Sequence, residues 1–131
     1  QAPVLPADLI VTRAQAGLVA AVAIASLLPM LAALRAMTRL FDRYRMGEVL
    51  SHANAMTILT IGRALLAVAA FTIAVPTLHA LILSWNAPQR VLSIALDSGT
   101  LGFAIAAGLL TVIGWAMAEA ARIKAENEGF V

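Results

Sequence analysis

Few side chains in this sequence are able to do chemistry, and they stand far apart. His79 lies three residues after Pro76 inside a long apolar run, and Arg63 stands near the start of the same run. An imidazole in such a place can exchange a proton or ligate a metal or pigment. A lone ring is not a metal site, however, and His52 lies beyond the opposite end of the run. His79 is therefore read as a hydrogen-bonded or interfacial histidine, a possible polar site and not a ligand. A guanidinium at mid-membrane costs about 2.5–3.5 kcal/mol on insertion scales, so a buried Arg63 needs a partner. If the crossing segment is Ala64–Leu83, the arginine stem instead carries the charge out to the headgroups.

A second group of charges, Arg35, Arg39, Arg43 and Arg45, precedes the turn Met46-Gly47-Glu48. The first three recur every four residues, which puts them on one face of a helix. With Arg63 they form a candidate contact for anionic lipid headgroups or for a partner protein. Asp42 and Glu48 read as solvated partners of these arginines. No Ser/His/Asp set shares one side, no carboxylate pair occurs within an apolar run, and no glycine-rich phosphate loop is present. Cysteine is absent, which removes thiol nucleophiles, thiolate metal sites and disulfides. Neither an enzyme nor a cofactor nor a metal site is expected.

The elements that carry these residues are three apolar runs, Ala14–Leu34, Thr57–Ser84 and Gly99–Ala118, in which Arg63 is the one charged side chain. Each is long enough to cross a bilayer core of about 30 Å, which takes roughly 20 helical residues. Hydrophobic residues make up 62% of the 131 and charged residues 12%, about half the share usual in soluble domains. The expected fold is an all-α membrane protein, one small bundle of three transmembrane helices in a single domain. The net charge of +2 and the lack of a Lys/Arg block speak against nucleic-acid binding. The chain starts Gln1-Ala2-Pro3 without Met, so a signal peptide or an earlier span is expected upstream.

Charge sets the expected orientation. Arg35, Arg39, Arg43, Arg45, Arg63, Arg122 and Lys124 fall on one side, and Arg13 and Arg90 on the other. The positive-inside rule then makes the arginine loop and the C-terminus cytoplasmic and residue 1 external. Trp85 and Trp115 fall near opposite span ends, as interfacial anchors do. Pro3 and Pro6 keep the start irregular. Asn86-Ala87-Pro88 reads as the start of a short interfacial helix with Val91, Leu92, Ile94 and Ala95 on its apolar face. Asp97 or Ser98 caps the third span. The first helix continues past the membrane to Tyr44. The third helix likewise extends beyond the membrane, supported by Glu119–Arg122 and Arg122–Glu126 pairs.

Small residues recur at four-residue spacing: Gly17, Ala21 and Ala25; Ala70 and Ala74; Gly102 and Ala106; Ala104 and Gly108; Gly114 and Ala118. Such spacing lets helix backbones approach in lipid. The third span, richest in glycine, is expected to make the tightest contact, within the bundle or with another chain.

The stretch Leu40-Phe41-Asp42-Arg43-Tyr44-Arg45-Met46-Gly47-Glu48-Val49-Leu50, followed by Ile61-Gly62-Arg63-Ala64-Leu65-Leu66, resembles a bacterial membrane family known as domain of unknown function 2975. The Glu119–Val131 ending is similar to that family's acidic terminus, and the resemblance covers roughly Leu34–Val131. It implies four spans, of which the first would precede this chain, and it supplies no active site. Leu50 departs from the aromatic residue common in the family at that point. Some members look to be encoded beside a small helix-turn-helix regulator. Two functions follow as expectations. One is a non-catalytic accessory subunit packed against a larger membrane complex. The other is a self-contained sensor signalling through the arginine-rich loop. A transporter ranks behind both, since a substrate path needs intramembrane polar residues.

Overall fold

The computed structural model describes residues 10–89 and 92–129. Among them are three α-helices: α1 (Arg13–Arg45), α2 (His52–Leu83) and α3 (Ser98–Glu128). At 33, 32 and 31 residues and 1.5 Å per residue, each is roughly 46–50 Å long and overshoots a bilayer core. All three are long and apolar enough to cross a membrane.

Each start is written in a cap. Thr12 and Gln15 form a reciprocal capping box, in which Thr12 Oγ1 accepts from the Gln15 amide and Gln15 Oε1 accepts from the Thr12 amide. That arrangement satisfies two of the donors every helix start exposes. Ser51 caps α2 by accepting from the Asn54 amide, and Asp97 caps α3 by accepting from the Thr100 amide at 2.6 Å. The end of α1 is equally local. Gly47 takes φ +85, its amide donates to the Tyr44 carbonyl, and the Glu48 amide donates to Arg43 O. These two bonds define a Schellman ending, which needs the left-handed conformation glycine adopts without a Cβ penalty. Both helices that contain a proline, α1 with Pro29 and α2 with Pro76, continue through it.

The arrangement differs from a closed bundle. α2 packs on α1 and on α3, while α1 and α3 do not touch. The three helices stand in a row, and a third of the α2 span is buried against 6% for α1 and 11% for α3. Ala33 and Ala36 are the buried apolar residues of α1. Small side chains at these points let α1 settle on one side of α2 while α3 takes another.

The short interfacial helix is not formed among the described residues. Leu92–Asp97 has no regular structure, and Arg90 and Val91 lie outside the described residues, as do Pro3 and Pro6. Thr77 Oγ1 of α2 donates to the Ser93 carbonyl at 2.8 Å, which ties the segment to α2. Leu92, Ile94 and Leu96 remain exposed.

Candidate functional site

The tightest point of the fold is the crossing of α2 and α3. A Cβ at Gly62 would stand 2.7 Å from the Thr111 amide nitrogen, and one at Gly114 would stand 2.6 Å from the Leu59 amide nitrogen. Two glycines, one from each helix, thus let backbone meet backbone. Gly114 was expected to pack. Gly62 was not singled out for packing, because no small residue follows it at four-residue spacing. The isolated glycine inside a good helical stretch was the available signal.

The other small residues expected to pack face outward. A Cβ at Gly17, Gly102 or Gly108 would meet nothing within 4 Å, and Ala21 and Ala106 are exposed. Among the described residues, no neighbouring helix comes within 4 Å of a Cβ placed at these three glycines.

At the arginine-rich end, four arginines that look alike in sequence part company. Arg43 Nη1 donates to the Ala53 carbonyl at 3.0 Å and to Thr57 Oγ1 at 2.7 Å, pinning the end of α1 to the start of α2. Arg35, Arg39, Arg45 and Arg63 are exposed. Among the described residues, the ion pairs are Arg122 with Glu119 and Arg122 with Glu126. Asp42 and Glu48 therefore do not pair with their arginine neighbours, contrary to the sequence reading. Glu48 contributes its backbone instead. Its carbonyl accepts from Asn54 Nδ2 at 2.7 Å, with Val49 O as a weaker second acceptor. Asn54 is fully buried, and its Oδ1 has no hydrogen-bond partner. The turn is thus held from both sides, while Phe41, Met46, Val49 and Leu50 on and beside it are exposed.

Two more contacts set the helices in register. Gln15 Nε2 donates to the Ile82 carbonyl at 2.9 Å. With the Arg43–Thr57 bond, this sets Arg35 of α1 level with Arg63 of α2, at the depth where the apolar runs begin. His79 is half-buried, and its Nε2 is buried with no hydrogen-bond partner. No group of three His, Asp or Glu side chains converges among the described residues.

On α3 beyond Ala118, Arg122 donates to Glu119 and, at 2.7 Å, to Glu126. The Arg122 hydrogen bond holds the Glu119 carboxyl below its ordinary 4.5, and the carboxylates in turn raise Arg122. A depressed carboxylate supports the folded helix above its unfolded pKa, and that support disappears as pH falls through the folded value. The helical carbon shifts of residues 120–128 are expected to move toward coil values below about pH 4.5. Unchanged shifts would show that the pairs add nothing to the helix end.

Three long apolar helices held by small-residue crossings define a multi-pass helical membrane protein. Residues 2–130 match the family described as "Protein of unknown function (DUF2975)". The chain belongs to that family. The match extends the resemblance seen from Leu34 onward across the whole of α1. Among curated proteins and among solved structures, none matches.

Proposed function

We propose that this chain is a non-catalytic accessory subunit of the bacterial inner membrane that packs against a larger membrane protein complex. The observation that carries this reading is the outward placement of Gly17 and Gly102, with Ala21 and Ala106 one turn on. A glycine inside a helix costs roughly 0.8–1.0 kcal/mol relative to alanine, and neither glycine serves a close contact among the described residues. Close approach of a helix from another protein gives both a purpose. The arginine-rich end and the tail of α3 face the cytoplasm. Arg35 and Arg63, level and unpaired, meet anionic headgroups there.

The Gly17→Leu/Gly102→Leu double variant tests this. It is expected to keep its helicity and thermal midpoint but lose the stoichiometric partner seen on native-size separation from mild detergent. A wild-type protein that migrates alone, or a double variant that keeps its partner, would end the accessory reading.

The sensor reading rests on a different observation, the rigid turn that exposes Met46, Val49 and Leu50 beside Arg39 and Arg45. If substitutions there change a cellular response while the Gly17/Gly102 variant does not, signalling through the turn is the better account.

A further inference from the structure

Two clefts on one face of the α1–α2 pair share Val68 and Thr72 of α2, and from α1 one takes Met30 and the other Ser26. Three arginines stand on the opposite face. Arg35 and Arg39 follow Ser26 and Met30 by nine residues each, and Arg63 precedes Thr72 by nine. Nine residues make two and a half helical turns, which carries a side chain to the far side of its helix. Arg35, Arg39 and Arg63 are all exposed there.

They also lie at nearly one depth. The bonds from Gln15 to Ile82 and from Arg43 to Ala53 and Thr57 set Arg35 opposite Arg63. Arg39 stands about one turn, roughly 6 Å, farther from the membrane centre. Ala33 and Ala36 of α1 are buried beside Arg35, which brings the two helix axes to about 8–10 Å, as in packed helices generally. Guanidinium groups so placed on neighbouring helices can close on one phosphate, which each arginine grips with parallel N–H donors.

No carboxylate neutralises this charge. The ion pairs among the described residues belong to Arg122, and Asp42, three residues after Arg39, does not pair with it. Arg43 is committed to α2, and Arg45 lies ten residues, about 15 Å, beyond Arg35. On the membrane side the next residues are Leu34 and Ala64, so what faces the three arginines is the headgroup layer. One turn deeper, Leu31 and Ala67 continue the same face, and Leu31 is exposed.

We propose that Arg35, Arg39 and Arg63 bind the phosphate of one anionic phospholipid from the leaflet at the arginine-rich end, with Leu31 and Ala67 against its acyl chains. The proposal rests on the headgroup contact of the proposed function and not on the partner complex. Diffuse contact needs no stoichiometry, whereas a site built from three arginines on two helices holds a single lipid.

The test is native mass spectrometry of the delipidated protein in detergent, titrated with phosphatidylglycerol or phosphatidylcholine. One phosphatidylglycerol is expected to bind about tenfold or more tightly than phosphatidylcholine, as charge-assisted hydrogen bonds imply. Arg35→Met/Arg63→Met is expected to abolish the preference, with helix content by circular dichroism unchanged. Arg45→Met removes the same charge outside the site and is expected to leave the preference intact. Equal binding of the two lipids, no saturation at one, or an equal loss in Arg45→Met would overturn the proposal and leave diffuse headgroup contact standing. Displacement of the lipid by inorganic phosphate at equal concentration would overturn it too, by making the ligand free phosphate. In native membranes, a photo-reactive amino acid at Leu31 is expected to give a phospholipid adduct. A protein adduct there would overturn the lipid site and favour the accessory reading, which the Gly17→Leu/Gly102→Leu variant tests separately.

Discussion

Gly62→Leu is expected to force α2 and α3 apart. It should destabilise the fold by an amount at or above the upper end of the roughly 1–3 kcal/mol that overpacking costs. The atoms in the way are the amide nitrogen and Cα of Thr111, at 2.7 and 2.8 Å from the added Cβ. Backbone cannot rotate aside as a flexible side chain can, so even Gly62→Ala must shift a helix. Gly114→Leu should behave alike, because its Cβ meets the backbone of Leu59 and Ile58. The same chemical change at Gly102 meets open space and gains helix propensity,. Unfolding by SDS titration, followed by circular dichroism, reads the difference. Equal midpoints for Gly62→Leu and Gly102→Leu would show that the α2–α3 crossing is not the one described.

Loss of Arg43 should free the turn between α1 and α2. Arg43→Met removes the donor to Ala53 O and Thr57 Oγ1. Hydrogen bonds from charged donors are worth about 1.5–3 kcal/mol, so hydrogen exchange across residues 47–51 is expected to rise about tenfold or more. Asn54→Leu should have a similar effect by a different route, leaving the Glu48 and Val49 carbonyls without their side-chain donor. Arg35→Met and Arg39→Met are the controls, because neither side chain makes a hydrogen bond to another helix among the described residues. If all four variants exchange alike, the turn is not held by these contacts.

Much of the architecture is legible in the order of residues. Hydropathy alone marks Ala14–Leu34, Thr57–Ser84 and Gly99–Ala118 as crossing segments, and all three lie in helices except for Ser84, the C-cap of α2. The caps are local too. Of the two caps the sequence offers for the third span, Asp97 and Ser98, the structure uses Asp97, and Thr12-Arg13-Ala14-Gln15 has the capping-box pattern,. The Glu119–Arg122–Glu126 pairs follow from i,i+3 and i,i+4 geometry. Gly47 stops α1 because only a residue free of Cβ strain suits the left-handed turn,.

What the tertiary structure decided is which of several equivalent residues does the packing. A soluble helix shows its buried face as an apolar stripe. In these spans every face is apolar, because lipid is as apolar as a neighbouring helix. Four-residue spacing therefore does not separate Gly62 and Gly114, which meet backbone, from Gly17, Gly102 and Gly108, which meet no described atom within 4 Å. Arg35, Arg39 and Arg43 share one spacing and one charge, and only the angle at which α2 returns brings Thr57 to Arg43. The row of helices has the same origin. Spans, caps and ion pairs depend on neighbours within a turn of one another, and the sequence by itself determined them. The side of α2 on which each partner settles depends on residues some 40 to 70 positions apart, and only the folded chain brings those together.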